Sequence, residues 1–319
     1  MTPMAPTDIT IIRPRSRDEW LAARTNGIGS SEIATIVGLN PWETPYQLWR
    51  RKRGIDPAKE ENFAMRAGHY LEDAVARFWS DATGRSVIKR SATDWIIQSK
   101  SKPFLQVSPD RTYWLNGMPH SAGNKGILEC KTTQKSIDPD DIPQHWFCQV
   151  QYQLGTAQLS HGSLAWLCSG REFGYTDIAL VPDFYSWLVD EAERFWTDNV
   201  VGGHEPAATA VPDILLKFGR HTDGKSVEVS DDIAADCAAL RDLRDKIDQL
   251  TLRREELEAR IKLAFADAES VTYNGQTLAT WRSPKPSMLF DAKSFQADHP
   301  DLAAQYTREV SGARRFVLK

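Results

Sequence analysis

The sequence predicts a mixed α/β protein: a mixed sheet flanked by helices, then a mainly helical, coiled-coil-like extension that ends in a small β segment. Three observations carry this. Short apolar runs bounded by turn residues, within 86–115 and at 127–131, 163–168 and 175–181, read as strands. Helical apolar spacing separates them at 63–83, 144–159 and 183–199. From Ile233 to Ile261 apolar residues recur every third or fourth position, the pattern of a long amphipathic helix or short coiled coil.

In chain order, residues 1–17 read as a flexible lead ending in the basic Arg13, Arg15 and Arg17. A helix starts near Ser16, with Asp18 and Glu19 in its first turn, where carboxylates offset the helix dipole. Gly27-Ile28-Gly29 is a turn, and Ser30 or Ser31 is expected to cap a second helix through Val37. After the turn Asn40-Pro41-Trp42, a third helix opens near Tyr46 and closes on Arg50, Arg51, Lys52 and Arg53 before Gly54. Met65, Leu71, Val75, Phe78 and Trp79 stripe a fourth helix, stopped by Gly84. Residues 117–126 read as a loop, Pro143 precedes the helix of 144–159, and 163–181 alternates like a hairpin. A composition shift at Gly202-Gly203-His204-Glu205-Pro206 marks a boundary between a core of 18–205 and an extension of 206–319. The extension is read as the long helix, a β segment at 271–281, a helix at 292–305 and a final basic strand at 313–319.

Composition bounds the function without naming it. The 319 residues are 41% hydrophobic and 26% charged, ordinary for about two globular domains. No apolar run approaches the roughly 20 residues that cross a bilayer, so no membrane partner is expected. The four cysteines are scattered, without a CxxC pair, which argues against zinc, an iron–sulfur cluster or a disulfide framework and fits a reducing cytoplasm. Net charge is −4, so a nucleic-acid partner must be held by a local patch.

The chemistry concentrates in Ser108-Pro109-Asp110 and Leu128-Glu129-Cys130-Lys131. Two carboxylates brought together at the ends of short strands make a hard, oxygen-rich site suited to Mg²⁺ or Mn²⁺. Lys131, two residues past Glu129, shares its strand face. Two acids, a metal site and one ammonium are what phosphodiester hydrolysis requires. From these residues alone, a surface hairpin with ordinary charges remains the other reading.

Helix, strands, Asp110, Glu129-x-Lys131 and a following helix, in that order, resemble the PD-(D/E)XK nuclease superfamily. Within it the likeness is to the lambda exonuclease and YqaJ-type viral recombinase family, over roughly residues 18–200. Trp20-x-x-x-Arg24, Gly27-Ile28 and Ser31-Glu32 resemble that family's 5′-phosphate stretch; Gly68-His69-Tyr70-Leu71-Glu72 its helix-borne acid; Gln149-Val150-Gln151-Tyr152 its glutamine motif. The resemblance implies a restriction-endonuclease-like fold and a Mg²⁺-dependent 5′→3′ exonuclease, two ions per site, with Mn²⁺ able to substitute. Its substrate would be linear double-stranded DNA, leaving 3′ single-stranded tails. Asp110 would bridge the ions, Glu129 and the Cys130 backbone carbonyl would bind one, and Glu72 would hold the outer side. Lys131 would orient the attacking water and Gln149 would position Lys131 or that water. Arg24 and Ser31 would grip the terminal phosphate.

The resemblance further implies a single-strand annealing protein as partner, a homo-oligomer (a trimer in lambda exonuclease) and a phage or prophage origin in a bacterial cytoplasm. The extension at 206–319, with its Arg314-Arg315-Phe316 ending, is absent from lambda exonuclease and leaves the trimer open. A structure-specific endonuclease of the same superfamily and a non-catalytic DNA-end-binding scaffold are the alternatives. Arg50, Arg51, Lys52 and Arg53 read either as a solvated helix end or as contacts to the DNA backbone. His69 reads as a surface histidine or as a further metal ligand.

Overall fold

The computed structural model describes residues 8–57, 62–88, 95–115, 124–285, 288, 290–308, 314 and 316–318. They form two compact units, Met1–Lys217 and Phe218–Lys319.

The first unit opens with β1 (Ile9–Ile12), part of the stretch expected to be a flexible lead. Its Ile-Thr-Ile-Ile backbone is paired instead, antiparallel with the strand Ile96–Ser99. Helix α1 (Arg17–Thr25) starts as expected, with the Ser16 hydroxyl accepting the Glu19 N–H at 3.2 Å. A two-residue strand β2 (Ile28–Gly29) leads into α2 (Ser30–Ile36). Neither serine caps α2: Gly29 is the cap residue, and the Glu32 carboxylate reaches back to its N–H at 2.8 Å. The buried glutamate thereby satisfies the N–H of the cap residue, a different donor from the first-turn N–H that a capping hydroxyl would accept. Helices α3 (Pro45–Lys52) and α4 (Phe63–Thr83) follow, the first capped by Thr44, the second by Asn62 and ended by Gly84 at φ 68°.

Next come β3 (Val87–Ile88), β4 (Ile96–Ser99), β5 (Leu105–Val107), β6 (Arg111–Trp114) and β7 (Lys125–Thr133). Helix α5 (Gln144–Thr156) crosses to β8 (His161–Cys168), which turns into β9 (Glu172–Ala179). The stretch expected as one helix at 183–199 is α6 (Pro182–Arg194) continued by a π-helical segment, Phe195–Val201. The apolar stripe that predicted a helix does not distinguish the two hydrogen-bond patterns. Helix α7 (Val211–Lys217) ends the unit. Its Asp213, fully buried, accepts from Thr44 Oγ1 and Gln47 Nε2 at 2.8 Å and so ties α7 to α3.

Strands order as β1-β4-β5-β2 in one sheet and β3-β6-β7-β8-β9 in another. In the larger sheet β7 and β8 are parallel, joined by the α5 crossover, and the other pairs are antiparallel. Period-two alternation along β7 sorts its residues between two apolar clusters. Ile127 joins Val150 and Leu154 of α5 and Leu164 and Trp166 of β8. Leu128 and Cys130 join Val75, Ala76 and Trp79 of α4. The sheet is thus a middle layer between α4 and α5. Trp79 is fully buried with its indole N–H on Ser163 Oγ at 3.0 Å, and truncating it to alanine should cost about 3–5 kcal/mol. Gly155 lets α6 approach α5: a Cβ there would lie 2.3 Å from the Tyr185 ring.

The second unit holds α8 (Asp231–Phe265), the hairpin β10 (Ser270–Tyr273) and β11 (Gln276–Thr280), and the short helices α9 (Ala292–Asp298) and α10 (Pro300–Tyr306). Asn274 and Gly275, at φ 50° and 78°, make the tight hairpin turn that an Asn-Gly pair favours. Phe265 is the buried residue of α8, edge-on to Trp281 at 5.9 Å. Of the final strand expected at 313–319, residues 313, 315 and 319 lie outside the described residues, and Arg314 and Phe316–Leu318 carry no strand. No helix among the described residues is long and apolar enough to cross a membrane.

Candidate active site

Glu129 lies on the α5 face of β7 and is 2% exposed. A buried carboxylate must be satisfied, and three donors do so. Lys131 Nζ donates to Oε1 at 2.7 Å, Gln149 Nε2 to Oε1 at 2.6 Å, and Gln153 Nε2 to Oε2 at 2.8 Å. Lys131 also donates to Gln149 Oε1 at 2.8 Å, closing a triangle of ammonium, carboxylate and amide. Lys131 and Glu129 meet because they are two apart on a strand; Gln149 and Gln153 meet Glu129 because they are four apart on a helix. Gln153 was not singled out in the sequence, although its position one turn after Gln149 was the available signal. The neighbouring Gln151 faces elsewhere, donating to the Ala179 carbonyl and accepting the Val181 N–H, both at 2.8 Å.

Asp110 sits at the turn into β6, and its Oδ2 accepts the Cys130 N–H at 2.8 Å. Burial pushes its carboxyl well above the ordinary range, and the charges of Glu129 and Glu72 push it further; Lys131 and the Cys130 N–H only partly oppose them. Glu72 on α4 is also raised, first by burial, with His69 opposing and Glu129 adding to the shift. His69 Nδ1 stands 3.0 Å from Glu72 Oε1. Arg111 lies 3.8 Å from Glu72 and 3.0 Å from Asp73, and donates to the Asp110 carbonyl at 2.6 Å. Sequence reading passed over Arg111, directly beside Asp110. Burial alone would lower the Lys131 ammonium, but Glu129 and Asp110 reverse this and hold it above its ordinary value, so it stays charged. The Cys130 thiol belongs to the α4-side core, and burial raises it well above the usual thiol range.

A second polar centre lies at the start of α2. Arg24 Nη2 donates to Ser31 Oγ at 3.2 Å, and its guanidinium lies 4.6 Å over the Trp20 ring. A Cβ at Gly29 would fall 2.4 Å from Arg24 Nη2, so a side chain there would displace the guanidinium. Glu32 pairs with Arg51 at 3.0 Å and Lys52 at 2.8 Å. Burial would raise this carboxyl, but Lys52, Arg24 and Arg51 more than reverse it and bring it down to about 2. Gln153 links the two centres, donating to Ser30 Oγ at 3.2 Å as well as to Glu129.

The basic run is held inside this unit. Arg50 grips Asp56 with two bonds of 2.7 Å, and Arg51 takes Glu43 at 3.1 Å besides Glu32. Lys52, whose side chain is 3% exposed, also donates to the Arg24 and Gly27 carbonyls at 3.1 and 2.5 Å, and Arg53 donates to the Val200 carbonyl at 3.0 Å.

The donor chemistry around Asp110 fits a hard divalent cation. Asp110 and Glu72 are buried or half-buried carboxylates whose charges oppose one another and Glu129. A carboxylate offers about four lone pairs, and the three donors on Glu129 leave one on Oε2. With Glu129 engaged this way, no three His, Cys, Asp or Glu side chains stand together as a preformed ligand group among the described residues.

The YqaJ-like viral recombinase domain matches residues 19–160. The YqaJ protein of Bacillus subtilis strain 168 is 31% identical over 317 residues, covering 95% of this chain and 94% of its own. The chain belongs to the YqaJ family. The stretch that matches the YqaJ-like domain holds Arg24, Ser31, Glu72, Asp110, Glu129, Lys131 and Gln149. The 95% coverage carries the family relationship to YqaJ of Bacillus subtilis well into the second unit. Among solved structures, an alkaline exonuclease (LHK-Exo) from Laribacter hongkongensis, in complex with dAMP, is 17% identical at a TM-score of 0.46, covering 58% of this chain and 93% of that one. A phage-related exonuclease from Haemophilus somnus 129PT is 10% identical at a TM-score of 0.39, covering 56% of this chain and 96% of that one.

Proposed function

We propose that this YqaJ-family protein is a Mg²⁺-dependent 5′→3′ exonuclease on linear double-stranded DNA. The observation that carries the reading is the closed triangle of Lys131, Glu129 and Gln149 beside the raised carboxyl of Asp110. A structural ion pair needs no second acid cluster alongside it. A nuclease needs both an ammonium fixed in place and carboxylates left short of positive charge.

Asp110, Glu129, Glu72 and the Cys130 carbonyl would hold Mg²⁺, or Mn²⁺ in its place. The ions, when bound, supply an activated water and stabilise charge on the leaving oxygen. Lys131 has three N–H donors, of which Glu129 and Gln149 take two, so the third can point to the attacking water or a phosphate oxygen. Glu129 and Gln149 fix the ammonium in one orientation, which lowers the cost of reaching the charged transition state. Attack at phosphorus breaks the bond to the 3′ oxygen, and that oxygen leaves as the hydroxyl of the released 5′-nucleotide. The remaining strand keeps a 5′-phosphate, which suits a repeating enzyme.

Arg24 and Ser31 would receive that phosphate, a dianion matched to a guanidinium fork. The long 3′ tail would be the substrate of a single-strand annealing protein in phage recombination within the bacterial cytoplasm. In this reading residues 18–205 are the nuclease domain and 206–319 an extension with a separate role.

The test is digestion of linear duplexes carrying 5′-phosphate or 5′-hydroxyl ends, with Mg²⁺, with Mn²⁺ and with chelator. Shortening of the 5′-phosphorylated strand that stops with chelator is expected. No digestion of either duplex with either ion would overturn the proposal, and cutting of a covalently closed circle would redirect it to an endonuclease.

A further inference from the structure

Helix α8 presents an apolar seam to solvent: Ile233 is 47% exposed, Leu243 54%, Ile247 60%, Leu250 70%, Leu257 40% and Ile261 49%. The seam has strict heptad spacing. One row is Ile233, Leu240, Ile247, Arg254 and Ile261; the other is Asp236, Leu243, Leu250, Leu257 and Ala264. Each row thus carries one charge, of opposite sign. We propose that a second copy of this chain covers the seam, packed antiparallel so that Arg254 of each copy meets Asp236 of the other.

The two charges select this arrangement. In an antiparallel pair the two rows face each other, and one pairing sets the register for the rest. With Arg254 against Asp236, Ile247 meets Leu243, Leu240 meets Leu250, and Ile233 meets Leu257, each pairing made twice by the two-fold axis. Every apolar residue in this span meets an apolar residue, and each charge meets its opposite. On the flanks the same register puts Asp232 beside Arg260. A parallel pair or bundle would stack Arg254 on Arg254 and Asp236 on Asp236. Shifting the antiparallel register by one heptad sets Arg254 on Leu243 and Asp236 on Ile261, or else Asp236 on Ile247. Each alternative buries a charge without a counter-charge, the situation that makes a buried ion a strong determinant of register.

The rest of the helix is compatible with this packing. Arg254 holds only surface partners, Glu258 at 3.6 Å and Glu255 at 3.9 Å, on a side chain 65% exposed, and such pairs are weak enough to exchange. Arg244 and Lys246 come beside their own symmetry mates at the axis. Lys246 brings Asp242 at 3.6 Å as its own counter-ion, and Arg244 lies 5.7 Å from the Phe316 ring. At the far end, Leu257 and Ile261 form one wall of an open groove of about 430 Å³ whose other wall is Val271, Leu278 and Ala279. In this register Ile233 of the second copy reaches Leu257 at that groove.

Light scattering and sedimentation of the full-length protein test the proposal. The wild type should have twice the mass of an Ile247→Asp/Leu250→Asp variant. Asp236→Arg and Arg254→Asp, both at exposed helix positions, should each weaken the association on the order of a hundredfold, and the double swap should restore it to within roughly threefold. Far-UV circular dichroism should show the same helix content throughout. Equal mass for the wild type and the Ile247→Asp/Leu250→Asp variant would overturn the second copy, including the case in which a different protein occupies the seam. Single swaps without effect, or a double swap that does not restore association, would overturn the antiparallel register.

Discussion

Two buried carboxylates of the first unit, Glu32 and Asp110, are held in opposite electrostatic conditions. Glu32 has Lys52, Arg24 and Arg51 around it, and its pKa falls to about 2 although burial alone would raise it. Asp110 is raised well above the usual value by burial, and Glu129 and Glu72 around it add to the shift. The first is compensated within the fold and stabilises it. The second is left short of positive charge, a condition that costs stability unless a cation is recruited. On the proposed reading, the contrast separates an acid compensated within the fold from one that would hold a metal ion.

The largest effects should come from removing the charges at the acid-rich centre. Asp110→Ala and Lys131→Ala are expected to abolish digestion, with losses of at least about 10²–10³ in rate for Lys131→Ala. Asp110→Asn tests the contrast more finely. It should abolish cutting while stabilising the metal-free protein by on the order of 1 kcal/mol, because it removes one of several mutually repelling charges. Mg²⁺ should raise the melting temperature of the wild type and not that of Asp110→Asn. Melting curves with and without the ion check both statements. A destabilised Asp110→Asn would mean that its charge is compensated after all.

Glu32→Gln should act in the opposite sense. Removing one member of a buried ion cluster leaves the others unpaired, and a loss of about 3–5 kcal/mol is expected. The pH dependence follows from the sign of the shift. The folded pKa of Glu32, about 2, lies below its ordinary 4.5, so its contribution is complete above the ordinary value and is lost as pH falls toward 2. Asp110 runs the other way: its folded pKa is raised, so its penalty is complete above that raised value and is relieved as pH falls through it. Urea titrations between pH 6 and 3 should show Glu32→Gln with a shallower acid decline than wild type. Asp110→Asn should show a steeper one, having lost the compensating relief.

Much of this contrast was legible in the sequence, but unevenly. Asp110, Glu129 and Lys131 announce themselves because strand periodicity places the last two on one face, whereas Glu72 and Gln149 are singled out only by the family resemblance, since a lone glutamate or amide on a helix is usually solvated. The basic run was the harder case. A stretch of Arg50, Arg51, Lys52 and Arg53 reads as a solvated helix end or as contacts to the DNA backbone, because nothing in its spacing shows that Glu32, Glu43 and Asp56 fold back onto it. The carbonyl that receives Arg53 belongs to Val200, a contact only the folded chain brings about. Gln153 was passed over because an amide inside an apolar helix carries no charge pattern to draw attention to it. Strand β1 was passed over because four residues are too few to separate a strand from an extended lead.

Arg24 belongs to the centre around Glu32 and is also coupled electrostatically to Glu129, and its substitution should give the smallest and most selective effect. Its charge acts on Glu32 and on Glu129, while its guanidinium donates to Ser31 and stacks on Trp20. Removing it leaves Lys52 and Arg51 on Glu32, so the fold loses less than it does in Glu32→Gln. It also leaves the Lys131 triangle intact, so cutting chemistry is retained. What Arg24→Ala should remove is the grip on the terminal phosphate, about one charge-assisted fork, reducing the preference for 5′-phosphorylated over 5′-hydroxyl duplex by roughly tenfold. Arg24→Lys should not restore that preference, since a point ammonium cannot reproduce the fork or the stacking on the indole. Equal rates for the two duplexes in both variants, with the 5′-hydroxyl rate unchanged from wild type, would assign Arg24 to end recognition. A parallel fall of both rates would make it part of the catalytic centre and erase the separation between the two regions.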